Sequence, residues 1–172
     1  MKDTKPTVIY IIGDNRSGST LLDYLLSSHP EAYSVGEIHH LQNYYNRVGV
    51  GKRQNWECNC GNQIENCDFW KDVLVRSNFT KDTKTNIRSQ YRESKLSYLN
   101  KYFLKKEVNQ TILRNEKEGV EYVDNILKLY KTVANVSNKK FIIDSSKSPL
   151  EAYYFSEQKK IDIGKVNDKF FI

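Results

Sequence analysis

Thr7 to Ile12 is a short apolar, β-branched run held between Pro6 and Gly13, and it predicts a buried strand. A Gly- and Ser-containing stretch follows. Leu21, Leu22, Leu25 and Leu26 then recur at helical spacing, which predicts a helix over 20–28. His29-Pro30 closes it, because the residue before a proline is pushed out of the α region. Ala32 to Val35 predicts a second strand, ending at Gly36-Glu37. The stretch 52–70 is loop-like and carries Cys58, Cys60 and Cys67. From 81 to 136 the pattern is helical, with Val120, Val123, Leu127, Tyr130 and Ala134 forming one apolar stripe. Lys140 to Ile143 predicts a third strand, followed by Asp144-Ser145-Ser146-Lys147. A helix is expected over 149–158, with Pro149 in its first turn, and 169–172 reads as the opening of a fourth strand.

Strands alternating with helices imply an α/β fold around a central parallel sheet. In such sheets ligands bind outside the C-terminal ends of the strands. Each expected strand ends in a polar cluster: the loop around Arg16, then Glu37, then Asp144 to Lys147. The chain of 172 residues is sized for one domain. Its charge of +6 suits an anionic ligand, nucleic acid and nucleotide alike, without naming one. No segment reaches the roughly 20 apolar residues of a membrane span, and no signal-peptide core precedes Gly13, so a cytoplasmic protein is expected.

A strand, a Gly-containing loop and a helix start make a cradle for phosphate, because backbone N–H groups and the helix dipole both favour an anion there. Gly13 and Gly18 permit a tight turn; Ser17, Ser19 and Thr20 add hydroxyl donors; Arg16 adds a planar fork for phosphate or sulfate oxygens. The nucleoside-triphosphate loop requires Gly-Lys-Ser/Thr at its end, whereas here Ser19 follows Gly18. A P-loop nucleotide kinase or triphosphatase is therefore the weaker alternative. A non-catalytic, degenerate nucleotide-binding fragment is another.

The run Ile11 to Leu22, with Gly13-Asp14-Asn15-Arg16-Ser17-Gly18-Ser19-Thr20 at its centre, resembles the loop with which sulfotransferases bind the 5′-phosphosulfate of 3′-phosphoadenosine 5′-phosphosulfate. Ser28-His29-Pro30, Gly36-Glu37, Cys58-x-Cys60-Gly61 with Cys67-x-Phe69-Trp70, and Asp144-Ser145-Ser146-Lys147-x-Pro149 continue the resemblance in order. It is closest to bacterial sulfotransferase-like and tyrosylprotein-type members. It implies a P-loop-like, three-layer α/β/α domain. Its parts would be a strand–helix–strand unit over 7–37, a cysteine loop over 52–70, a helical acceptor side over 81–136 and a further unit over 140–172.

The implied reaction is sulfuryl transfer to a hydroxyl or amine of a small molecule, glycan, lipid or peptide, with no metal and no nucleic acid involved. Asn15, Arg16, Ser17, Gly18, Ser19, Thr20, Leu21 and Ser145 would hold the donor. Glu37 would act as base, with Arg16 and Lys147 facing the oxygens that gain charge. His39 and His40 are rivals for the base, and a structural or solvent-facing role is preferred for both; two adjacent histidines on a helix point to different faces. The residues that bind the 3′-phosphate in the family follow a strand like 169–172, so the chain is expected to be an N-terminal part, and its own activity is then in question. Three cysteines fall one short of the usual zinc set, and Cys-x-Cys is not the usual spacing, so packed thiols are the expectation. A disulfide is disfavoured in a reducing cytosol.

Overall fold

The computed structural model describes residues 6–14, 16–45, 58, 60–85, 116–149, 151, 152 and 155. Along the chain, β1 (Thr7–Ile12) leads into α1 (Ser19–Ser27), then β2 (Ala32–Gly36). A 3-10 turn over Ile38–His40 runs into the short α2 (Leu41–Tyr45). A second 3-10 turn, Ile64–Asn66, precedes α3 (Asp68–Arg76); α4 (Glu116–Ser137) then leads to β3 (Phe141–Lys147). Pro149, Glu151, Ala152 and Phe155 are helical, as the proline in a first turn suggests. The expected strand at 169–172, and 86–115 of the expected helical region, lie outside the described residues.

The three strands are parallel, in the order β1-β3-β2. β3 therefore lies between the first two, and the loop after β1 and Glu37 after β2 are not on neighbouring strands. Sequence order suggested that they were. β3 also runs further than expected, through Asp144, Ser145 and Ser146 to Lys147. The register slips where it meets its neighbours there, between Tyr10 and Ile12 on β1 and between Ser34 and Gly36 on β2. Irregularities of this kind re-aim side chains at the end of a sheet.

Alternation along the strands separates two faces. Val8, Val35 and Ile142 join a large apolar core with Trp70, Val73 and Leu74 of α3 and Tyr122, Val123, Ile126, Leu129, Tyr130, Val133 and Ala134 of α4. Ile11, Ala32 and Ile143 form a smaller cluster on the other face, with Leu26 of α1 packed against it. The result is an α/β arrangement with helices on both sides of the sheet.

Three elements differ from the sequence reading. Of the stripe expected on α4, Val123, Tyr130 and Ala134 are buried and Leu127 is partly so, but Val120 is half exposed and the buried face extends to Tyr122, Ile126, Leu129 and Val133. α3 starts inside the stretch read as loop: extended Cys67 precedes Asp68 in the first turn, and Trp70, Val73 and Leu74 supply a buried stripe at intervals of three and four. Residues 81–85 are not helical; Thr80 and Thr83 close a turn there, Thr80 N–H donating to Thr83 Oγ1 at 2.8 Å.

Candidate functional site

Gly13 leaves β1 and the chain turns at once, with Ser17 N–H donating to the Asp14 carbonyl at 3.3 Å. A Cβ on Gly13 would stand 2.7 Å from Ser17 Oγ, so a larger residue there would force the Ser17 hydroxyl to turn away. Gly18, at φ 78°, turns the chain into α1 and offers no side-chain cap, and the first turn holds no acidic residue. The first N–H groups of α1 thus meet an electropositive, solvent-facing end, the setting in which an anion is favoured. Arg16, Ser17, Gly18, Thr20 and Leu21 are exposed and Ser19 is buried; Asn15 lies outside the described residues. Leu21 is 64% exposed on the helix surface.

At the opposite strand end, Lys147 pairs in register with Ile12, the residue from which the loop departs. Lys147 Nζ donates to Glu37 Oε1 at 2.6 Å, joining the end of β3 to the end of β2. Sequence separation between the two is 110 residues, and no local pattern announces the contact. His40 Nε2 lies 3.5 Å from Glu37 Oε2, and His39 Nε2 lies 4.0 Å from the same oxygen. The two imidazoles stand 3.8 Å apart. Both therefore approach Glu37, contrary to the expectation that adjacent histidines diverge. The cause is the 3-10 turn, which folds back onto Glu37 through the His40 N–H to Glu37 carbonyl bond at 3.0 Å.

These neighbours hold the Glu37 carboxyl down at about 2, through the His40 hydrogen bond first and the Lys147 contact next, against the opposing effect of partial burial. Glu37 is thus ionised across the physiological range. Glu37, His39 and His40 also bring three metal-capable atoms together, but the ammonium of Lys147 already occupies one carboxylate oxygen.

Backbone conformation marks the same places. Among the described residues, four non-glycines have positive φ. Asn78 and Asn138 follow the C-terminal ends of α3 and α4, a position where asparagine is common. The other two are Arg16, at φ 62°, and Lys147, at φ 64°. A cation retained where glycine is less strained suggests that the side chain is needed.

Two buried aspartates support the site: Asp23, which the sequence did not single out, and Asp144, which it placed in the polar cluster ending the third strand. Ser145 Oγ donates to Asp23 Oδ2 at 2.7 Å, tying β3 to α1 one turn beyond the loop, and both groups are buried. Ser145 is thus engaged by Asp23. On the other face of β3, Tyr130 donates to Asp144 Oδ2 at 2.5 Å, and Ser146 N–H donates to Asp144 Oδ1 at 2.8 Å. Burial raises the Asp144 carboxyl to about 6. Asp144 is thus turned into the α4 side. An acidic residue at a buried position, on the strand for Asp144 and on the helix for Asp23, is the sequence signal for these roles. Ser146 Oγ accepts a hydrogen bond from His39 N–H at 3.4 Å, which seats the turn beneath Glu37.

Among the described residues, no helix is long and apolar enough to cross a membrane. The model of the sulfotransferase family matches residues 6–154, a span that takes in the loop, Glu37 and all of β3. No curated protein and no solved structure matches the chain.

Proposed function

The chain belongs to the sulfotransferase family, and on that premise we propose that its strand-end cluster transfers a sulfuryl group from 3′-phosphoadenosine 5′-phosphosulfate to a hydroxyl or amine of a small molecule, glycan, lipid or peptide. The observation that carries this reading is the Lys147–Glu37 contact of 2.6 Å beside the uncapped start of α1. It puts an anion cradle, a cation and a carboxylate at one edge of the sheet.

The donor supplies an SO₃ group on a phosphate leaving group. The tight turn at Gly13, the N–H groups that open α1, and Arg16 suit its two anionic ends. Lys147 faces the oxygens that gain charge as the bond between sulfur and the bridging oxygen breaks. Glu37 takes the proton of the acceptor as the new bond from acceptor oxygen or nitrogen to sulfur forms. A carboxylate held near 2 is a weak base. Its present partner eases the difficulty in part: when Lys147 turns from Glu37 to the sulfuryl oxygens, the carboxylate loses one stabilising contact and gains basicity, while the larger contribution of His40 stays. The pair is thus a resting arrangement whose separation prepares both members.

Isothermal calorimetry with adenosine 3′,5′-bisphosphate and with ATP–Mg²⁺, and transfer from a radiolabelled donor into a panel of acceptors, test the reading. Glu37→Gln should lower transfer by about 10²–10⁴-fold while leaving nucleotide affinity unchanged. Unchanged transfer removes Glu37 from the base role, and tight binding of ATP alone favours a kinase or triphosphatase.

A further inference from the structure

The three cysteines lie away from the strand-end cluster, and the reaction does not use them. Cys58 and Cys60 flank a tight turn: Gly61 N–H donates to the Cys58 carbonyl, and Cys58 N–H to the Asn62 carbonyl, both at 2.8 Å. Gly61 takes φ 82° to permit it. Cys67 arrives from the far side of the second 3-10 turn, at the cap position of α3. All three Sγ atoms fall within 4.8 Å of one another, and Cys60 and Cys67 are 3.6 Å apart. The backbone N–H groups of Cys60 and Asn62 lie against the sulfurs of Cys58 and Cys60 respectively, and the Asn62 side-chain amide donates to Cys60 Sγ at 3.6 Å.

Cys67 belongs to the apolar core and Cys58 borders it, but packing alone does not require their sulfurs to converge with that of exposed Cys60. Four-coordinate zinc with Zn–S of about 2.3 Å sets its sulfurs about 3.8 Å apart, close to the spacing seen here. N–H groups aimed at sulfur are the outer contacts that orient thiolate ligands. The N-terminus of α3 adds a favourable dipole beside Cys67. A disulfide between Cys60 and Cys67 would leave the convergence of Cys58 without a reason.

We propose that Cys58, Cys60 and Cys67 bind one zinc ion as thiolates. Binding forms three Zn–S bonds and releases three thiol protons to solvent. Water completes the tetrahedron on the side of Cys60, the exposed member. The ion clips the turn to the start of α3 and, through Phe69, to the sheet: Phe69 stacks on Tyr33 of β2 with ring centroids 4.5 Å apart. Sequence spacing argued for packed thiols and for no metal. That argument counts cysteines, and the geometry adds where their sulfurs meet. The proposed role is structural and independent of the transfer reaction.

The chain, purified without chelator from zinc-supplemented culture, should carry about one equivalent of zinc by plasma mass spectrometry. Replacement by Co²⁺ should give an intense thiolate-to-cobalt charge-transfer band. Cys60→Ser removes an exposed ligand and leaves the core untouched, so it should keep the fold and lower zinc affinity by more than the roughly 10–100-fold typical of losing an outer-shell partner. Cys67→Ser should do the same, with some loss of stability because Cys67 is buried. Protein that leaves zinc-supplemented culture without bound zinc, a mapped Cys60–Cys67 disulfide, or zinc content unchanged by Cys60→Ser would each overturn the assignment.

Discussion

The two faces of the sheet are built on opposite terms. On the α3–α4 side, Trp70, Tyr122, Ile126, Leu129 and Val133 are buried against Val8, Val35 and Ile142 in one continuous core. On the α1 side, among the described residues, the buried apolar cluster consists of Ile11, Ala32 and Ile143, while Leu21, Leu22, Tyr24 and Leu25 of α1 are exposed. Both faces are crossed by helices of apolar periodicity, yet only one of them buries a large core. Stability is thus concentrated behind the sheet, on the face away from α1. The phosphate-cradle loop is carried by the helix that contributes least to it. On the proposed reading, the loop gains from such an arrangement, since its geometry rests on the turn at Gly13 and Gly18 and on the Asp23–Ser145 bond and not on tight packing of its helix.

The largest expected effect tests the buried side. Ile126 is fully buried at the centre of the α4 stripe. Ile126→Ala should cost about 2–5 kcal/mol in urea unfolding, through lost transfer energy and the cavity left behind. A cost below about 1 kcal/mol would show that the α4 face does not carry the stability assigned to it.

How much of this was legible in the sequence follows the same division between local and distant contacts. β1 stands at the bounds its composition indicates, because Pro6 and Gly13 act on their immediate neighbours. The loop and the start of α1 are equally local. Sheet order is not: nothing in Phe141 to Ile143 says that β3 will pair with both other strands. The meeting of Glu37 with Lys147, and of both histidines with Glu37, depends on that order and on a 3-10 turn whose signal is weak. α3 was lost to a loop reading because glycine, asparagine and cysteines in the preceding stretch outweighed the spacing of Trp70, Val73 and Leu74. The α4 stripe was legible at Val123, Tyr130 and Ala134; Tyr122, Ile126, Leu129 and Val133 were missed because one ladder of three- and four-residue steps traces only part of a face that packs on both α3 and the sheet.

A smaller effect concerns the one acidic group of β3 turned into the apolar side. Burial raises Asp144 from 3.8 to about 6, so the folded state holds this proton more tightly than the unfolded chain. The stability this contributes is full below about pH 4 and is lost as pH rises through about 6. Asp144→Asn removes the titration while retaining an oxygen for Ser146 N–H and offering an amide N–H to Tyr130. Relative to the parent chain, the variant should gain stability as pH rises from about 4 to about 7, measured as the shift in urea midpoint. Glu37 is displaced in the opposite direction, from 4.5 to about 2, so its contribution is lost as pH falls from about 4.5 toward 2; it is common to both proteins and cancels in the difference. A constant difference between the two proteins across the window would mean that Asp144 is hydrated, and the face less dry than its neighbours indicate.

The smallest expected effect is the most direct test of the contrast. Leu25 is 63% exposed on α1, so truncating it removes little area from contact with protein. Alanine also has the higher helix propensity, which offsets part of any loss. Leu25→Ala should therefore change the urea midpoint by no more than about 0.5 kcal/mol equivalent. The same substitution chemistry at Ile126 is several-fold more costly, so the pair of measurements reads the asymmetry between faces without reference to any ligand. A cost at Leu25 approaching that at Ile126 would mean that the leucine face of α1 is covered in solution, and that the loop rests on a packed helix after all.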